Sequence, residues 1–367
     1  MKNTDKYIKE QIHKLYALTT VGYFQIAGAS WVALLALRGF SLLEIGILES
    51  IFHAVSCIFE IPSGAVADVF GRKRTLTLSK LVSVFSSVLM ILSTNFWTVA
   101  IAIGFNAISY NLESGTREAL AYDSLKSVKC ENDYNKFAST DMMLYRITSS
   151  LATLGAGFSL WLGYKRAYAM DIFFGLIAIG FALSLKEISV NAADTETSYC
   201  GIGNRFKCVI SESIHFLASN QKARVIMLLN AFIGAVSTLV RFFLQAKLPL
   251  EGLNEALLGP ALFVMGLGAA LGSKIVGYLP RLRYRKFIIL SSIGVAFAFG
   301  MTFTGNPYVM ILGGFVGAFA DDFLEVRTDV ILNEMIPSEQ RATLISINSF
   351  IFSVVMIVMS TLMGSIM

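Results

Sequence analysis

Eleven stretches of this chain are each long and apolar enough to cross a bilayer, and that repetition constrains the fold more than any other feature. A membrane-spanning helix needs about 20 predominantly apolar residues. The segments 14–37, 42–67, 75–93, 95–122, 138–163, 166–187, 222–247, 254–279, 285–304, 306–333 and 341–366 satisfy this and are called spans 1 to 11 below. Inside hydrocarbon each peptide group must find its hydrogen bond within its own segment, so these spans are expected to be helices. The fold class is therefore all-α, a polytopic membrane protein. Of 367 residues, 55% are hydrophobic and 15% charged, against about 25% charged in a soluble domain. The 28 Phe, set against six Pro and 29 Gly, exclude a disordered or collagen-like chain. A net charge of +5 does not point to nucleic acid, because the basic residues lie in short gaps between apolar runs rather than on one folded face.

Those basic residues set an orientation. With the N-terminus in the cytoplasm, 22 of the 30 Lys and Arg fall in cytoplasmic segments or at the helix ends flanking them. Arg38, Lys165, Arg166 and Lys247 fall on the other side, and Arg117, Arg146, Arg241 and Arg327 lie within spans. Such a bias places positive loops inside. The expected location is the inner (plasma) membrane of a cell, and the polar, mixed-charge start carries no pattern of a removable signal peptide. The four cysteines, Cys57, Cys130, Cys200 and Cys208, show no metal-ligand spacing, and neither metal nor cofactor is expected. The longest polar stretch, 188–221, separates a six-span bundle over 1–187 from a five-span bundle over 222–367, and part of it, Phe206 to Leu217, reads as a surface helix. Each bundle has a short basic loop after its second span, at 71–74 and 281–286, the echo expected of a duplicated half.

Ionisable groups inside a span cost at least about 2.5 kcal/mol at its centre, so they are expected to face a partner or water. Four spans carry them at helical spacing. Span 2 aligns Glu49, His53 and Glu60 with Gly64; span 4 aligns Asn106, Tyr110, Glu113 and Arg117. Span 7 aligns Asn230, Gly234, Ser237, Arg241 and Gln245, and span 10 places Asp321 and Asp322 near its middle with Glu325 and Asp329 continuing the face. Together these stripes predict a water-accessible cavity. Glu113 with Arg117 reads first as a structural ion pair. His53 reads as a satisfied interior histidine or a proton-exchanging one, and Glu60 as a gating or a proton-carrying group. Asp321 and Asp322 are the strongest candidates, because adjacent acids repel each other and a proton on one relieves the repulsion; Arg241 or Arg327 is the alternative neutraliser.

Span 2 runs into Gly64-Ala65-Val66-Ala67-Asp68-Val69-Phe70-Gly71-Arg72-Lys73-Arg74. Gly71 permits a tight turn, Gly64 permits close helix approach, and Asp68 and Arg72 stand at the cytoplasmic rim where they can pair. This pattern resembles the loop between the second and third spans in the major facilitator superfamily. The stretches 59–64, 114–124 and 336–343 resemble its bacterial drug-efflux-like permeases. The resemblance implies two helical bundles, here six plus five transmembrane helices, and a gating motif of Gly64, Asp68, Gly71, Arg72, Lys73, Arg74 and Asp123. Within it Arg72 would pair with Asp123, and Asp68 with the start of span 11 near Arg341 to Thr343.

The function expected from this is secondary active transport, with proton-coupled efflux of small amphipathic or aromatic compounds by alternating access. The partners are a small-molecule substrate, protons and the lipid bilayer, with no nucleic acid and a monomeric state. The candidate proton or cavity residues are Glu49, His53, Glu60, Asn106, Glu113, Arg117, Arg241, Asp321, Asp322 and Glu325. Two features keep alternatives open. Eleven spans are one short of the usual twelve, which would uncover a flank for a partner, and Asn111 stands where drug-proton antiporters of the family carry an arginine. The alternatives are a non-transporting receptor, immunity or assembly partner, and an uptake permease. Enzymatic motifs are missing from the sequence: it has no His-x-x-x-His pair and no Gly-x-Ser-x-Gly turn.

Overall fold

The computed structural model describes residues 2–130, 133–188, 220–279, 281–335 and 341–367. The described residues are almost entirely helical, with no strand among them. Spans 2 and 3 are the helices Leu42–Phe70 and Arg72–Leu92; span 6 is Tyr164–Ser184. Spans 7 to 11 are Gln221–Leu250, Leu258–Val276, Tyr284–Met301, Pro307–Met335 and Arg341–Ile366. Three spans are interrupted. Span 1 consists of Lys2–Gly22, Ile26–Ala29 and Trp31–Leu37, span 4 of Phe96–Glu113 and Thr116–Lys126, and span 5 of Tyr134–Leu154 and Ala156–Leu162. Among the described residues seven helices are long and apolar enough to cross a membrane by length and composition. The linker 189–219, including the expected surface helix, lies outside the described residues.

Local chemistry fixes where the helices start. At the head of span 4 the Asn95 side chain accepts the Thr98 amide at 3.1 Å while the Thr98 hydroxyl accepts the Asn95 amide at 3.2 Å. At span 2 the Glu44 carboxylate accepts both the amide and the hydroxyl of Ser41 at 2.8 Å. Each arrangement satisfies donors that a helix N-terminus leaves without intrahelical partners. Span 3 starts differently. Gly71 has φ +90°, and the Glu187 carboxylate, from the end of span 6, accepts the amides of Arg72 and Lys73, each at 2.9 Å.

Packing sorts the chain into two compact units, and both draw on its first half. One comprises Met1–Ala29, Val55–Gly155 and Leu162–Phe206; the other Ser30–Ala54, Ala156–Trp161 and Lys207–Met367. In the first unit, Leu15, Leu18, Leu76, Leu120, Phe137 and Leu185 form the heart of a buried apolar cluster. In the second, Ala223, Met227, Ala231, Leu332, Ile347 and Ile351 do so. Within the second unit, span 2 meets span 11 by backbone contact. A Cβ at Gly46 would collide with the Ser360 backbone, and one at Gly364 with the Leu42 backbone. Small residues at such crossings let helices approach closely, the main source of association in lipid.

The break in span 1 is held by a carboxylate. Asp171, buried in span 6, accepts the amide of Ala27 at 3.2 Å and that of Gly28 at 2.9 Å. These are donors that the interruption strips of intrahelical partners. An unsatisfied buried donor costs about 1–3 kcal/mol. Asp171→Ala is therefore expected to lower the unfolding temperature of the detergent-purified protein, and Asp171→Asn, which keeps one acceptor oxygen, to lower it less. Equal melting of all three proteins would show that other groups satisfy those amides.

Candidate functional site

Polar side chains gather at three places, and the first is a five-ion network in the first unit. Glu113 ends the first helix of span 4, and the break at Ser114–Gly115 follows it. Its two oxygens take different cations: Lys80 Nζ of span 3 lies 2.6 Å from Oε2, and Arg117 Nη1 lies 3.3 Å from Oε1. The other edge of Arg117 is shared. Its Nη2 lies 2.9 Å from Glu118 Oε1 and 3.1 Å from Asp141 Oδ2 of span 5. Thr19 of span 1 donates to Asp141 Oδ1 at 2.6 Å. Tyr23, at the break of span 1, stands beneath both cations, with Lys80 Nζ 5.4 Å and the Arg117 guanidinium 5.5 Å from its ring, and stacks edge-on with Tyr145.

Glu113 and Arg117 pair as their spacing indicates, within a network whose further members, Lys80, Glu118 and Asp141, the helical spacing of span 4 alone does not reveal. Lys80, which the sequence did not single out, is 4% exposed and has Glu113 as its counter-ion. Asn111, at the position where drug-proton antiporters carry an arginine, exchanges two hydrogen bonds with Ser56 of span 2 at 3.0 and 2.9 Å. Asn106 is exposed and Glu60 is half-buried; among the described residues Glu60 makes no ion pair.

The second cluster lies in the second unit. Arg241 Nη2 of span 7 and Asp321 Oδ2 of span 10 are 3.9 Å apart, the outer limit of an ion pair, and the Arg241 side chain is 32% exposed. Its Nε is buried without a hydrogen-bond partner among the described residues. Asp322 is half-buried and Glu325 exposed. Arg327 instead lies over the Phe287 ring at 5.9 Å, so Arg241 is the cation that meets Asp321. His53 has a neighbour on each ring nitrogen: Nε2 lies 3.4 Å from Glu49 Oε1, Nδ1 lies 3.3 Å from Ser353 Oγ, and Phe52 and Phe352 flank the ring.

The third cluster is the basic loop after span 2. Arg72 pairs with Asp123, the contact the family resemblance implied, and its Nη1 also donates to the Ala119 carbonyl at 2.6 Å. Lys73 is half-buried and Arg74 exposed. Glu187, which the sequence did not single out, holds the amides of Arg72 and Lys73. A carboxylate at the end of span 6 was the only available signal, and nothing in the spacing tied it to residue 72. Gly64 was expected to allow close helix approach, but among the described residues nothing lies within 4 Å of a Cβ placed there. The side chains of Asp68 and of Arg341 to Thr343 lie outside the described residues, so the second expected contact of this motif does too.

Interrupted helices, ion networks inside spans and this basic loop define a polytopic membrane protein of the major facilitator fold. Comparison with solved structures gives the same fold. A mutant form of the nucleoside transporter NupG superposes with a TM-score of 0.78 at 14% identity, covering 98% of this chain and 91% of that one. A bacterial homolog of the human lysosomal transporter Spinster, in an inward-facing and unoccupied conformation, superposes at 0.69 with 14% identity, covering 97% and 80%. In sequence the chain is similar to the uncharacterized MFS-type transporter YxaM of Bacillus subtilis (strain 168), 23% identical over 348 residues, which are 92% of this chain and 84% of the relative. No family model matches the chain.

Removing one partner of a buried ion pair costs about 3–5 kcal/mol. Lys80→Met is expected near the low end of that range, because Arg117 remains beside Glu113. The double variant with Glu113→Gln is expected to lose less than the sum of the two single losses, as read from a thermal-unfolding double-mutant cycle. Additive losses would show that the two groups do not interact.

Proposed function

We propose that this protein is a secondary transporter that moves a small amphipathic or aromatic molecule by alternating access, coupled to protons, with its N-terminus in the cytoplasm of an inner-membrane host. The six-span bundle over 1–187 and the five-span bundle over 222–367 would rock about a central substrate site, with the linker 188–221 between them. The protein would act as a monomer. Arg241 and Asp321 are the residues assigned to that site, since their separation and the unpartnered Nε of Arg241 leave the pair incompletely satisfied and able to accept a third group.

The observation that carries this reading is the seam between span 2 and span 11. The Ser50 hydroxyl lies 2.7 Å from the Ile357 carbonyl, 2.8 Å from Ser360 Oγ and 2.9 Å from Thr361 Oγ1, between the contacts of Gly46 and Gly364. Glycines and hydroxyls hold such a seam by close approach and short-range hydrogen bonds, without interdigitated large side chains at those positions. All of these contacts are lost together when the helices part, as a gate requires. By the sequence orientation this seam is at the outer face.

Efflux is the direction that the family resemblance favours. Uptake with protons is a second reading, favoured by the structural likeness to a D-xylose-proton symporter, with a TM-score of 0.61 and 13% identity over 98% of this chain and 88% of that one.

Two measurements test the proposal. In a background free of native cysteines, oxidising Ser50→Cys with Ser360→Cys is expected to abolish substrate flux in proteoliposomes, and reduction to restore it; full flux with the crosslink in place would defeat alternating access through this seam. Asp321→Asn is expected to abolish substrate-dependent proton movement under an imposed pH gradient. The sign of that movement in the unmodified protein separates antiport from symport, and unchanged proton movement in the variant would remove Asp321 from the coupling path.

A further inference from the structure

The ion network of the first unit contains one more carboxylate than it has cations. Glu113, Glu118 and Asp141 are joined to Lys80 and Arg117 alone among the described residues, a net charge of −1 when all five are ionised. A net charge is costly in a membrane interior, and ions there are normally balanced. Geometry shows where the surplus lies. Glu113 holds both cations, one on each oxygen, whereas Glu118 and Asp141 meet on the single nitrogen Nη2 of Arg117. A second observation falls at the same place: Glu118 Oε2 and Arg117 Nε are buried and have no hydrogen-bond partner among the described residues. The Arg117 side chain is only 9% exposed.

We propose that the Glu118–Asp141 pair on Arg117 holds one exchangeable proton, and that this pair stands with Asp321 on the coupling path of the transport reading given above, on which that second clause rests. Taking up a proton from hydronium breaks one O–H bond there, leaving water, forms one O–H bond on a carboxylate oxygen and brings the network from −1 to neutral. Releasing it returns the network to −1, and no other group is consumed. The proton also supplies a donor to a pair that otherwise holds only acceptors. The two acids differ in access in the way a relay needs: the Glu118 side chain is 40% exposed and that of Asp141 6%. Glu118 is the entry and Asp141 the inner seat, steadied by the Thr19 hydroxyl. Among the described residues the titratable and charged groups around the pair are Arg117, Glu113 and Tyr110 of span 4, Lys80 of span 3, Tyr16 and Tyr23 of span 1, and Tyr134 at the start of the span 5 helix.

Infrared difference spectra of the detergent-purified full chain, between acid and alkaline buffer, test this without any substrate. The unmodified protein is expected to show the carbonyl stretch of one buried protonated carboxyl, and Glu118→Gln and Asp141→Asn are each expected to remove or displace it. The two changes are close in size and Glu118 is partly exposed, so at least that variant is expected to fold, which a single size-exclusion peak checks. Absence of the band from the unmodified protein, or the same band at the same frequency in both variants, overturns the proposal. The transporter reading fails separately, by absence of substrate flux in proteoliposomes.

Discussion

A charge inside a bilayer must carry its own solvation, and Arg117 is where this fold concentrates that requirement. Three carboxylates contact its guanidinium, from its own span and from span 5, while span 3 sends Lys80 to the carboxylate nearest it. Span 1 joins through Tyr23, whose ring faces the guanidinium, and Thr19, which donates to Asp141. Four spans are thus tied by ions and hydrogen bonds in addition to the apolar cluster they share, and apolar packing alone gives little preference between a neighbouring helix and lipid. The interruptions of spans 1 and 4 fall beside the network, so the places where helical hydrogen bonding fails are those with polar groups to spare.

The second unit solves the same problem with fewer charges. Its ion pair, Arg241 with Asp321, is long and partly exposed, and His53 is enclosed by Glu49, Ser353 and two phenylalanines. Its tight contacts come from residues with almost no side chain. Besides the seam of Gly46 and Gly364, Gly268 and Gly272 of span 8 lie directly on the backbone of Phe315 and Phe319 in span 10. Beside their apolar clusters, the first unit adds an ion network and the second adds close backbone approach.

The loop after span 2 joins three helix ends through electrostatics. Arg72 reaches Asp123 at the end of span 4, while its amide and that of Lys73 meet Glu187 at the end of span 6. A carboxylate at a helix N-terminus is favoured by the helix dipole and by the unsatisfied amides there. The same chemistry recurs deep in the first unit, where Asp171 holds amides at the break in span 1.

How much of this was legible in the sequence divides by range. Helical class and the pairing of Glu113 with Arg117 follow from hydrophobic length and from i, i+4 spacing, which are properties of a single segment. The motif at 64–74 also gave Arg72 its partner, because a family pattern carries tertiary information in compressed form. Lys80, Asp141, Asp171 and Glu187 were not legible as partners: each lies on a different segment from the group it serves, and helical spacing carries no information between segments. The same holds for the packing units, in which the start of span 2 joins span 11 through Gly46, Ser50, Ser360 and Gly364. The sequence by itself determined that this chain fills a membrane with helices, since apolar length and obligatory backbone hydrogen bonding admit no other solution. Only the tertiary structure decided which charges meet one another, since that depends on distances of about 3 Å between residues far apart in the chain.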